Sequence, residues 1–106
     1  MAKYLFEARY TVEGAKGVAK EGGTGRRTAV AKMVEGLGGK LDALYYAFGD
    51  VDVYVIVDLP DATAAAAVAL ATNQSGAVAV KTVVLLTAEE MDKAAKTTVN
   101  YRPAGH

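Results

Sequence analysis

The stretch from Gly38-Gly39 to Leu59-Pro60 constrains the fold more than any other part of the chain. Val, Tyr, Ile and Phe dominate it, and Gly or Pro punctuates both ends. That composition predicts two strands, near residues 40–48 and 51–58, joined by a tight turn at Gly49-Asp50.

The remaining elements fall on either side. Residues 3–11 alternate, with Tyr4, Phe6, Ala8 and Tyr10 on one face and Leu5, Glu7 and Arg9 on the other, the pattern of a strand. Thr11 is placed to cap a helix, with Glu13 in its first turn. Three glycines within Gly22-Gly23-Thr24-Gly25 are costly inside a helix, so the reading is a short helix near 12–21, a glycine loop, and a longer helix near 25–37. Ala29, Val30, Met33, Val34 and Leu37 recur at helical spacing on the longer piece. Asp61 opens an alanine-rich helix over 62–73, and a last strand runs from Ala77 to Leu86. Thr87-Ala88-Glu89-Glu90 is a capping box for a short helix to about Lys96. The order is βαββαβ plus a C-terminal helix. It predicts a ferredoxin-like α+β fold: a four-stranded antiparallel sheet with helices on one face.

A length of 106 residues implies one domain over 1–106, with 97–106 as an irregular tail. The chain has no cysteine, which removes disulfides, thiolate metal sites and redox thiols, and favours a cytoplasmic address. Net charge is zero. That argues against nucleic-acid binding and permits self-association. Neither a signal-peptide core nor a membrane span is legible.

Strand alternation assigns Phe6, Ala8, Val53, Val55, Val57, Val78, Val80 and Val84 to the helix side of the sheet. The other side receives Leu5, Glu7, Arg9, Asp52, Tyr54, Ile56, Lys81, Val83 and Leu85, with Tyr45 or Tyr46 according to register. This second face is too apolar to be left wet and too charged for a plain core. It reads as a contact surface with a polar inset, suited to a homodimer or a larger homo-oligomer.

Two sets of residues are candidate sites. Gly23, Gly25, Arg26 and Arg27 lie in a glycine-rich stretch at a helix start, where amides and guanidinium groups suit a small anionic ligand; the same stretch also reads as a plain break between two helical pieces. Glu7, Arg9, Asp52 and Lys81, with Tyr46 and Tyr54, fit a polar chamber on the open face, with Arg9 beside Asp52. That set serves either as a ligand site or as ion pairs fixing the register of an interface. His106 is the only histidine and ends the chain, so no metal site and no Ser-His-Asp arrangement is expected, and no cofactor is implied.

Glu21-Gly22-Gly23-Thr24-Gly25-Arg26-Arg27, Gly38-Gly39-Lys40-Leu41, Tyr46, Gly49 and Asp52 together resemble the GYD-domain family, small proteins of the dimeric α/β-barrel type. The likeness spans nearly the whole chain. One departure is plain: Val51 stands where the family's central Tyr is expected. The resemblance implies the fold and a homo-oligomer, and no particular reaction. Function is therefore read as a small-molecule or partner-binding, or structural, module. The alternative is a cofactor-free enzyme, monooxygenase- or isomerase-like, with its site in the barrel cavity.

Overall fold

The computed structural model describes residues 1–106. In chain order the elements are β1 (Ala2–Tyr10), α1 (Val12–Gly36), β2 (Lys40–Tyr46), β3 (Val53–Leu59), α2 (Ala62–Asn73), β4 (Val78–Leu85) and α3 (Ala88–Lys96). The strands form one antiparallel sheet in the order β2-β3-β1-β4. This is the ferredoxin-like α+β arrangement, with α1 and α2 on one face.

The caps read from the sequence are made. Thr11 accepts from Gly14 N and Asp61 from Ala64 N. The Thr87–Glu90 capping box closes in both directions. Two local expectations need correction. First, the glycine break is narrower than a loop: α1 (Val12–Gly36) is two helical pieces, as expected, but they meet at a kink at the single non-helical residue Gly22, with φ 81° and ψ 161°. Gly23 and Gly25 stay helical although their propensity is poor. Gly23 is held from outside, because its carbonyl accepts the Tyr46 hydroxyl at 3.0 Å. Second, the β2–β3 connection is not a tight two-residue turn. It spans residues 47–52 and is closed by Ala47 N donating to Asp52 O at 2.8 Å.

The core lies between the sheet and the two helices. Its ten buried side chains include Tyr4, Phe6 and Ala8 of β1, Val53, Val55, Val57 and Leu59 of β3, Val34 of α1, and Ala65 and Val68 of α2. Leu59, Val34 and Val57 are the largest fully enclosed ones, and all three sit toward one end of the sheet. There Gly39 allows close approach: a Cβ on it would lie 2.3 Å from Asp58 O and 2.9 Å from Leu59 Cδ2. This end is sealed. The opposite end, at Tyr10 and Tyr46, is not.

The other sheet face carries no helix. The strand registers place its side chains in rows across the sheet. Val83, Leu5, Ile56 and Ala43 make an apolar row. Lys81, Glu7, Tyr54 and Tyr45 flank it on one side, and Leu85, Lys3, Asp58 and Lys40 on the other. Tyr45, not Tyr46, therefore joins this face. A register shift between Leu41 and Ala43 sets Asp42 apart in the ladder.

Lys3 links two strands on that face. It donates to Asp58 Oδ1 at 2.9 Å and also pairs with Asp42. The hydrogen bonds to Asp42 and then Asp58 raise the Lys3 ammonium above the ordinary lysine value. Lys3 in turn holds the Asp42 carboxyl below the usual carboxylate range. The depressed carboxylate adds stability above its unfolded pKa, and that share disappears as pH falls through the folded value. The raised lysine adds stability below its unfolded pKa of about 10.4, and that share disappears as pH rises through the folded value. Lys3→Met should therefore lower the melting temperature by a gap that is widest between about pH 5 and pH 9 and narrows at both extremes. A gap constant across a thermal-melt pH series would assign Lys3 a packing role only.

The outline of the chain is not compact. Its radius of gyration is 16.6 Å, against about 13 Å for a compact domain of this length. The excess comes from the C-terminal end: every residue from Leu86 to His106 is exposed. The hydrogen bonds of residues 87–106 are made only among themselves.

Candidate functional site

The helices divide the sheet between them. α1 packs chiefly over β2 and α2 chiefly over β4. Above the two central strands a gap is left. It is a groove of about 280 Å³, floored by Phe6, Ala8, Val53 and Val55 and walled by Val30 and Met33 of α1 and Val68 and Ala71 of α2. Pockets for small molecules have this character: concave, mostly apolar, with few polar groups.

Four polar side chains reach this groove: Tyr10, Arg26, Thr72 and Ser75. Two are already engaged with backbone. Thr72 Oγ1 donates to Val68 O at 2.7 Å, and Ser75 Oγ to Thr72 O at 2.6 Å. Arg26 has only a long contact to Glu21, at 3.7 Å. Its place follows from helix geometry: it lies one turn before Val30 on the stripe that continues to Met33 and Val34. Gly22 breaks the helix just before that stripe begins.

Tyr10 also borders a second cavity of about 470 Å³ at the unsealed end. Val18 and Gly23 of α1, Tyr46, Phe48 and Asp52 line it, and Phe48 is fully solvent-exposed. Burial raises the Tyr10 phenol above its ordinary pKa. The nearby Tyr46 and Asp52 push the same way, and Arg26 partly offsets them. The phenol is therefore held protonated, as a hydrogen-bond donor.

Asp52 fixes this end of the sheet. Its Oδ2 accepts from Tyr10 N at 2.8 Å, and its own N donates to Ala8 O at 2.9 Å. Ala8 is already the register partner of Val53, so Asp52 and Val53 address the same residue of β1. Alternation fails at that point, as at a bulge. The Asp52 carboxylate consequently joins the cavity shared with Tyr10 and Tyr46, and forms no ion pair with Arg9.

The open face has a separate depression of about 650 Å³ lined by Glu7, Arg9, Asp50, Tyr54 and Lys81. Glu7 faces both Lys81 and Tyr54 across the strands. No ion pair forms among these charges.

A family model described as GYD domain matches residues 4–95, from β1 to the last turn of α3. The chain belongs to the GYD-domain family. No curated protein and no solved structure matches it.

In this GYD domain the six residues proposed from sequence for one chamber are split by the sheet. Glu7, Arg9, Tyr54 and Lys81 share the open face, whereas Asp52 and Tyr46 lie on the helix side. Of the glycine-rich set, Gly23 serves as an acceptor for Tyr46 and Arg26 enters the groove. Gly25 lies in the first turn of the helical piece that follows Gly22, where a Cβ would meet only the Glu21 side chain, and Arg27 is exposed and forms no ion pair. The four do not converge on one point. Tyr10 and Phe48 were missed. Tyr10 was readable as the end of the apolar stripe of β1, but nothing in the sequence placed it between two cavities. No group of three His, Asp or Glu side chains is arranged to hold a metal ion. No helix is long and apolar enough to cross a membrane.

Proposed function

We propose that this GYD domain is a homo-oligomeric binding module that takes a small, largely apolar molecule bearing an acidic group. The observation that carries the reading is the interhelical groove, whose two polar groups without a backbone partner are the Tyr10 phenol and the Arg26 guanidinium. The apolar body of such a ligand covers Phe6, Ala8 and Val55. Its acid meets Arg26 in a charge-assisted hydrogen bond, with the protonated Tyr10 as a second donor. The raised Tyr10 pKa works against base chemistry near neutral pH, which favours binding over proton abstraction. Self-association is supported by the uncovered apolar row Val83, Leu5 and Ile56.

Naphthoate and its uncharged amide are suitable probes, followed by calorimetric titration. The acid should bind more tightly than the amide. Arg26→Gln should weaken the acid by about tenfold, the size of one charge-assisted hydrogen bond, and leave the amide unaffected. Ala8→Leu, which fills the floor, should weaken both. Equal affinity of Arg26→Gln and wild type for the acid would remove Arg26 from the site, and binding indifferent to both substitutions would remove the groove.

A further inference from the structure

We infer that residues 86–106 form an arm that packs on a second copy of this chain, with the Met91 side of α3 as its contact. The inference rests on the self-association proposed above. The arm is unpartnered throughout: every residue is exposed and none hydrogen-bonds to the body. It is nonetheless a built helix. Its N-terminus carries a full capping box, Glu89 and Glu90 lie in the first turn, and Lys93 and Lys96 in the last. The cap holds the Glu90 carboxyl below its usual range through the backbone and side-chain hydrogen bonds of Thr87. Nine residues are too few to hold a helix in water without packing. Ala88, Met91 and Ala95 make an apolar stripe on this one. The family match runs into Ala95, which makes α3 part of the domain pattern and not an appendage.

Two features select a second copy as the occupant. The same chain carries a self-complementary surface beside the arm, since the open sheet face has an apolar row that no element of its own covers, and pairing two such faces brings each arm alongside the partner. The arm also springs from that face: Leu85 is its last residue on β4, and only Leu86 and Thr87 separate it from α3. Area points the same way. Strands of seven to nine residues, four abreast, give the open face a footprint of roughly 500–600 Å². A stable interface buries about 800 Å² per partner. The open face alone falls short, and an arm laid on the partner supplies the remainder.

Sedimentation equilibrium on the full chain tests this. Wild type should be a dimer at micromolar concentration. Met91→Glu should raise the dissociation constant at least about tenfold, while Lys93→Ala, on the polar side, stays within about twofold. The melting temperature of the protein diluted to monomer should be the same for wild type and Met91→Glu. A dimer lost in Ile56→Glu but unchanged in Met91→Glu would overturn the arm and keep the open-face association. Met91→Glu lowering the melting temperature of the diluted monomer would overturn exchange, since the arm would then be packing on its own chain. A wild type that remains monomeric at about 100 μM, well above the micromolar range of typical specific interfaces, would overturn both readings.

Discussion

Gly14→Ala should destabilise the fold by roughly 3 kcal/mol, near the upper end of overpacking penalties. Gly14 is buried in the first turn of α1, and a Cβ there would stand 2.0 Å from Ala77 O and 2.9 Å from the carbon of the same carbonyl. That carbonyl cannot move aside freely. It accepts Thr11 N at 3.0 Å and Thr11 Oγ1 at 3.2 Å, and Thr11 is the N-cap whose hydroxyl accepts Gly14 N at 3.2 Å. A single methyl group therefore separates α1 from the entry to β4 and strains the cap, itself worth about 1 kcal/mol. For a domain of this size the melting temperature should fall by roughly 15 °C. A fall below about 3 °C would show that helix and strand part at little cost, and that the close approach is not a constraint.

Leu59→Ala should cost about 3 kcal/mol, within the range for a leucine removed from a core. Leu59 is fully enclosed at the sealed end, where its Cδ2 and Val34 Cγ1 both crowd the position of a Cβ on Gly39. Neighbours held this tightly cannot collapse into the space left behind. Leu59 does not line the interhelical groove. Urea denaturation should thus show the full loss, while the folded variant binds naphthoate as wild type does. Loss of affinity in step with loss of stability would mean that the two ends of the core are coupled.

The parts legible from sequence were those governed by strand alternation and by caps. Leu5, Ile56 and Val83 fall on one face, and Phe6, Val55 and Val57 on the other, because a period of two leaves no other choice. Thr11, Asp61 and Thr87 announced their helices by side-chain chemistry alone. What was not legible depended on local departures from those rules. Asp52 was assigned to the open face by alternation, and a doubled pairing on Ala8 puts it on the helix side. Gly22, Gly23 and Gly25 look equally disruptive in sequence, but only Gly22 leaves the helix, since Tyr46 anchors Gly23 from a distant strand. The groove was invisible for a different reason. It arises because α1 and α2 settle over opposite margins of the sheet, and no residue pattern encodes an absence between two elements.

The strand order also sets a timetable for folding. Only β2 and β3 are neighbours both in the sheet and in the sequence, so their hairpin closes the shortest loop and carries the smallest entropic cost. β1 is made first, yet one of its partners, β4, follows most of the chain later. Such long-range pairing slows folding. During synthesis Tyr4, Leu5 and Phe6 remain without their second neighbour until β4 has emerged, and an unpaired apolar strand is what chaperones bind and aggregates recruit. The first strand translated is thus the last to be completed.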